Sequence, residues 1–314
     1  MEQIEKRNPL ANIDTSFFHY VERRKNVAQA HMENGIPDYA FALDYELRAK
    51  ILKIPHFYSI SKKITETMVA QEMQKMNQEG LAVGPNQYPD IYQMGVECAK
   101  RLGIGIPNIY VLGNPNMNAY TIAADDTSPM VVILSGLIER MTPAELKCVI
   151  AHECGHIHNN HAVFKTVVNA ILSSGSGILG FALTAANLAL MQFWTRAGEI
   201  TCDRAALICS DHLEDAYCVN GKLLSGGILG RNDELNYEAL RSQLDLTLDN
   251  PSRIYEINSD HPSALRRIFA EMAFAECEVL YRWRPELKQP DMQVYSRKET
   301  DEKCQKLVNI LDNK

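Results

Sequence analysis

Apolar residues recur at helical spacing after residue 142, where Leu146, Val149 and Ile150 form one stripe. Thr142-Pro143-Ala144-Glu145 opens this stretch with an N-cap threonine, a proline at the first helical position and a glutamate three residues after the cap. Upstream, residues 88–102 read as an amphipathic helix ended near Gly103. Strand signals follow at 108–112, 119–123 and 130–134, with Asp125-Asp126-Thr127-Ser128-Pro129 as the turn between the last two. Residues 15–76 read as helices of alternating charge, with apolar positions at Phe41, Leu43, Tyr45, Leu47, Ile51 and Leu52. The stretch from Asp233 to Asn250 is polar, a helix or a loop, and residues 283–314 form a charged tail with Arg284, Lys288, Lys298 and Lys303, a helix or a loose extension. The pattern predicts an α+β chain, mostly helical, with a small mixed sheet ahead of one central helix. Its expected divisions are a helical extension over 1–76, a catalytic domain over 77–282 and a tail over 283–314.

The central helix carries chemistry: His152-Glu153-Cys154-Gly155-His156 is an H-E-x-x-H segment. At about 100° per residue, His152 and His156 lie within roughly 40° of each other, one turn apart, so both imidazoles can meet one metal ion. Glu153 sits beside that face as a base for water held at an open coordination position. A third histidine of the H-E-x-x-H-x-x-G-x-x-H type would need Gly at 159 and His at 162, where this chain has Asn159 and Ala162. On a continuing helix, His158 and His161 point roughly 240° and 180° away from His152 and face away from the metal.

An oxygen ligand is the better candidate. Glu199 and Asp203 share a helical face at i, i+4 spacing. Glu199 can complete a His2Glu site, and Asp203 can accept a hydrogen bond from the outward N–H of a ligating histidine. The plainer alternative makes both of them surface carboxylates paired with Arg196 or Arg204. Helices over 156–173 and 177–199 would run about 26 and 33 Å. A reversal at Ser173-Ser174-Gly175-Ser176-Gly177 would make them antiparallel and return Glu199 to the imidazoles.

The chain at this point resembles the HtpX-like and CAAX-prenyl-protease-like zinc metallopeptidases, of the gluzincin type. The resemblance covers roughly residues 38–270 and rests on four segments in order. These are Asn118-Ala119-Tyr120, the His152–His156 pentapeptide, Arg196-Ala197-Gly198-Glu199-Ile200-Thr201-Cys202-Asp203, and His261-Pro262 followed by Arg267-Ile268. It implies a zincin-like fold in which the H-E-x-x-H helix meets an antiparallel partner helix carrying E-x-x-x-D. It implies one Zn2+ per chain on His152, His156 and Glu199, with Glu153 as general base and Asp203 supporting a ligand. Asn118, Ala119 and Tyr120 would begin a strand at the cleft edge that binds substrate. His261 or Arg267 would come near the site, His261 as an oxyanion donor or else a loop histidine capping the following helix, Arg267 in support of the site or else a structural ion-pair residue. Many members of the family carry transmembrane helices before the zinc motif. No apolar run of 18 residues occurs there in this chain, so a membrane-embedded prenyl-protein protease fits poorly.

Composition narrows the setting. A net charge of −7 over 314 residues, with no basic aromatic-rich patch, argues against a nucleic-acid partner. The first residues lack the apolar core of a signal peptide, and eight scattered cysteines without a C-x-x-C pair suit reduced thiols, so a cytoplasmic location is expected. Residues 166–195 carry no charged side chain. They read as a buried hairpin, the alternatives being contact with a membrane surface or with another subunit. The expected activity is zinc-dependent endopeptidase action on unfolded or misfolded protein. Its rivals are a chaperone-like peptide binder that retains the zinc site and a quality-control protease at a membrane surface. The sequence leaves the oligomeric state open.

Overall fold

The computed structural model describes residues 31–54, 57–123, 128–161, 164–165, 185–227, 235–248 and 262–308. Four strands form one mixed sheet: β3 (Gly80–Ala82), β4 (Asn108–Leu112), β5 (Ala119–Ile122) and β6 (Met130–Leu134), in the order β3-β4-β6-β5. β4 and β6 are parallel, with Asn108 opposite Met130 and Leu112 opposite Leu134. β5 runs antiparallel on the outer side of β6, Ala119 facing Ile133 and Ile122 facing Met130.

Every residue of β6 is buried, which a strand covered on both faces requires. Val131 and Ile133 point into the main core with Leu146, Val149 and Ile150. Met130, Val132 and Leu134 point the other way, onto Met76 and Tyr110. Met76 comes from a long helix, Phe57–Glu79, and the Leu146 stripe from the helix Pro143–His158; these are α2 and α5 below. Between them lie α3 (Pro89–Leu102), closed by left-handed Gly103, and the short α4 (Ser135–Ile138). The capping box of α5 forms as the sequence predicts. Thr142 Oγ1 accepts from the Glu145 amide at 3.3 Å, and Glu145 Oε2 accepts from the Thr142 amide at 2.6 Å.

The partner of α5 is α6 (Ala185–Cys209). Gly155 sets their approach, because a Cβ there would lie 2.9 Å from Ala205 Cβ and 3.0 Å from Cys202 Cα. Further helices are α7 (Leu213–Leu224), α8 (Tyr237–Leu248), α9 (Ala264–Ala275), α10 (Glu278–Trp283) and α11 (Arg297–Val308). The helix α1 (Ala42–Ile51) packs Phe41, Leu47 and Ile51 against Trp194, Ala197 and Ile200 of α6. Among the described residues no helix is long and apolar enough to cross a membrane.

Three expectations need correction, and a fourth is narrowed. Residues 31–37 form a two-stranded hairpin, β1 (Met32–Glu33) and β2 (Ile36–Pro37), not helix, because Asn34 and Gly35 take positive φ at its tip. The boundary expected at 76 falls inside α2, and the three-residue β3 follows it. Of the two readings of the stretch after 283, the helix is the one that forms: Cys304 and Val308 of α11 are buried with Phe41 and Trp194, and buried Arg204 pairs with Asp301 at 2.7 Å. Finally, α5 does not run on to residue 173. It ends at His158, is capped by Asn159, and turns at left-handed Asn160. The reversal expected at 173–177 lies outside the described residues.

Gly155→Val should crowd the α5–α6 contact and lower stability by about 2–3 kcal/mol. A thermal melt that matches the wild type would show that the two helices separate freely.

Candidate metal centre

The close packing at Gly155 brings residues forty-odd positions apart within bonding reach. His152 Nε2 lies 3.3 Å from Glu199 Oε2, and His156 Nε2 lies 3.5 Å from Glu199 Oε1. Zinc bonds of 2.0–2.2 Å to nitrogen and oxygen place tetrahedral ligand atoms about 3.4 Å apart. The spacing therefore fits a zinc ion held by two imidazoles and a carboxylate. The chemistry of the donor set agrees, since it already draws in a cation: Lys165 Nζ sits 2.5 Å from Glu199 Oε1 and 3.4 Å from His156 Nε2. Cys202 Sγ also lies within 4.8 Å of nitrogens on both histidines. Burial and the Glu199 charge push its thiol pKa up, which favours the weakly ligating protonated form over a thiolate. Glu199 is the stronger candidate because each of its oxygens faces one imidazole at tetrahedral spacing.

The outward nitrogens are held by partners of two kinds. His152 Nδ1 lies 3.0 Å from Asp203 Oδ1, and Arg267 grips both oxygens of Asp203, its Nε at 2.8 Å from Oδ2. Burial opposes the charge of Asp203, but the Arg267 guanidinium outweighs it and keeps the carboxyl below its ordinary pKa. Neither carboxylate is a surface residue: Glu199 is 1% exposed and Asp203 2%. Burial also opposes a charge on His152, yet Asp203 and Glu199 raise its pKa to about 9. His156 goes the opposite way, well below its ordinary value, through burial and the Lys165 charge.

Glu153 is buried on the same helix, turned toward β5, where Thr121 Oγ1 donates to its Oε2 at 2.7 Å. Thr121 was not singled out by sequence; the signal was its position two residues after Ala119, on the same face of the strand. Asn118, Ala119 and Tyr120 all line a cavity of about 530 Å³ together with His152, Glu153 and His156. The Tyr120 hydroxyl is turned toward α2, donating to Glu72 at 2.8 Å. Leu137, Val149, Val219 and Leu223 give the cavity an apolar wall. His261 lies outside the described residues, as do residues 166–184 of the uncharged stretch; residues 185–195 belong to α6.

His158 and His161 are both buried, at 7% and 1% exposure, and only His158 faces away from the centre as expected. His158 Nδ1 meets the Tyr39 hydroxyl at 3.0 Å. The break at Asn159–Asn160 swings His161 back toward the centre, its Nδ1 3.1 Å from His156 Nδ1. Lys165 was likewise missed, since both residues follow a helix end that periodicity places further on.

A helix bearing paired imidazoles and a glutamate, met by a carboxylate from a second helix beside a sheet edge, is the arrangement of a metalloprotease. The chain belongs to Peptidase family M48, whose family model matches residues 85–271, more than half of its length. It is 33% identical over 209 residues to the plastoglobule-localized metallopeptidase 48 of Arabidopsis thaliana, covering 66% of this chain and 60% of that one. A protease HtpX homolog of Acaryochloris marina is 29% identical over 112 residues, 36% of each chain. The chain thus spans 60% and 36% of the lengths of these two relatives. The crystal structure of S. mikatae Ste24p aligns with 73% of this chain and 64% of its own, at a TM-score of 0.34 and 18% identity.

Removing the counter-ion of Asp203 tests how much the site relies on it. Arg267→Met should cost about 3–5 kcal/mol by leaving a buried carboxylate uncompensated. A denaturant midpoint close to that of the wild type would show that His152 suffices.

Proposed function

We propose that this protein is a zinc-dependent endopeptidase acting on unfolded or misfolded polypeptide. The observation that carries the reading is the convergence of His152, His156, Glu199 and Glu153 on one cavity beside the outer strand β5. Zinc held by His152, His156 and Glu199 would supply Lewis acidity for a scissile carbonyl and for the attacking water.

The remaining steps belong to the protein. An extended substrate adds alongside β5 through main-chain hydrogen bonds, an alignment that needs an unstructured segment and no particular sequence. Leu137, Val149, Val219 and Leu223 shelter an apolar side chain of that segment, which folded proteins keep buried. Glu153 takes the proton from the attacking water and passes it to the leaving amine. The Thr121 hydroxyl, bonded to Glu153 Oε2, holds the carboxylate in place at the cavity wall.

Glu153→Gln should retain zinc while cleaving a denatured protein about 10²–10⁴-fold more slowly. Undiminished cleavage would remove Glu153 from the mechanism; a wild type that binds zinc and denatured protein without cutting would make the chain a peptide binder. The pH dependence of metal uptake follows from His152. Its raised pKa keeps the metal-free imidazole protonated until about pH 9, and zinc requires the neutral ring. Zinc affinity should therefore rise with pH across that range with proton release, read by calorimetry in buffers of different ionisation enthalpy. A pH-independent affinity would contradict it.

A further inference from the structure

The two histidines of the metal centre are oriented differently, and the difference reaches into the N-terminal part of the chain. His152 leans directly on a carboxylate. His156 leans on His161, whose far nitrogen, Nε2, lies 2.8 Å from Asp44 Oδ2 on α1. Asp44 is fully buried and collects two further donors, Trp194 Nε1 at 2.9 Å and Thr201 Oγ1 at 2.8 Å. Burial opposes its charge, but His161 and the Thr201 hydrogen bond keep it below its ordinary pKa.

The arrangement assigns the protons. If His156 offers Nε2 to a metal, its Nδ1 carries the hydrogen and needs an acceptor. The nitrogen facing it is His161 Nδ1, which can accept only when the His161 proton sits on Nε2. Asp44 holds it there. Space is kept for this ring by Gly198, where a Cβ would come within 3.3 Å of His161 Cε1. The bend that delivers His161 is held from the same N-terminal side: Tyr45 donates to Asn159 Oδ1 at 2.6 Å, and Arg48 to the Asn159 carbonyl at 2.6 Å.

We propose that Asp44 and His161 are positioning residues that orient His156 for metal binding, so that docking of α1 sets the affinity of the site. This rests on the zinc reading above and concerns a different set of residues. Zinc dissociation constants from chelator competition, and the thermal midpoints of the metal-free proteins, would be measured for the wild type and three variants. His161→Leu and Asp44→Asn should each weaken zinc binding about 10–100-fold, whereas His161→Asn, which keeps an acceptor at the Nδ1 position, should stay within about threefold. The visible spectrum of the Co2+-substituted protein should change in the first two variants and persist in the third. A purely structural role would lower the metal-free midpoints and leave zinc affinity and the cobalt spectrum alone, which would overturn the proposal. If His161→Leu fails to fold, Asp44→Asn decides, since it changes charge at nearly constant volume. A wild type that binds no zinc would overturn the underlying reading as well, and so is distinguishable from failure of the positioning pair.

Discussion

The structure depends on one contact, the close crossing of α5 and α6 at Gly155. A larger side chain would hold the helices apart, and His152, His156 and Glu199 would no longer share a centre. The same closeness makes the contact electrostatically expensive, since it takes Glu153, Glu199 and Asp203 out of water together. Polar and cationic groups from several other elements are therefore drawn in around it.

Four of the buried acids have identifiable partners. Arg267 of α9 meets Asp203, Lys165 meets Glu199, Thr121 of β5 meets Glu153, and His161 meets Asp44. Lys165 differs from the others because its ammonium lies beside the donor atoms a zinc ion would use. A metal bound there would compete with the lysine for Glu199, whose charge Lys165 compensates. The centre is preorganised by neighbours whose own geometry is fixed, which is how buried ligands keep their spacing.

Much of this was legible in the sequence because it is local. The capping box at Thr142, the five-residue motif, the strands at 108 and 130 and the stop at Gly103 are written in adjacent residues. The E-x-x-x-D pair was legible as a pattern, although its burial was not, since surface and buried carboxylates share a spacing. What escaped depends on backbone turns and long-range packing. The Asn34-Gly35 tip was overlooked inside a stretch of helical composition. The end of α5 at Asn159 was misplaced because nothing in the polar-apolar pattern marks Asn160 as left-handed, and that error hid His161 and Lys165. Asp44 sits over a hundred residues from His161, and no periodicity links the two.

The connection of Asp203 to Arg267 has a bearing on the order of assembly. During synthesis the two imidazoles and both carboxylates of the centre emerge first, and the guanidinium that neutralises Asp203 follows more than sixty residues later. Until α9 has docked, closing α5 onto α6 would strand an uncompensated anion in the interior. A partly made chain accordingly lacks a settled pocket, and the centre matures only after the polypeptide that follows it has folded into place.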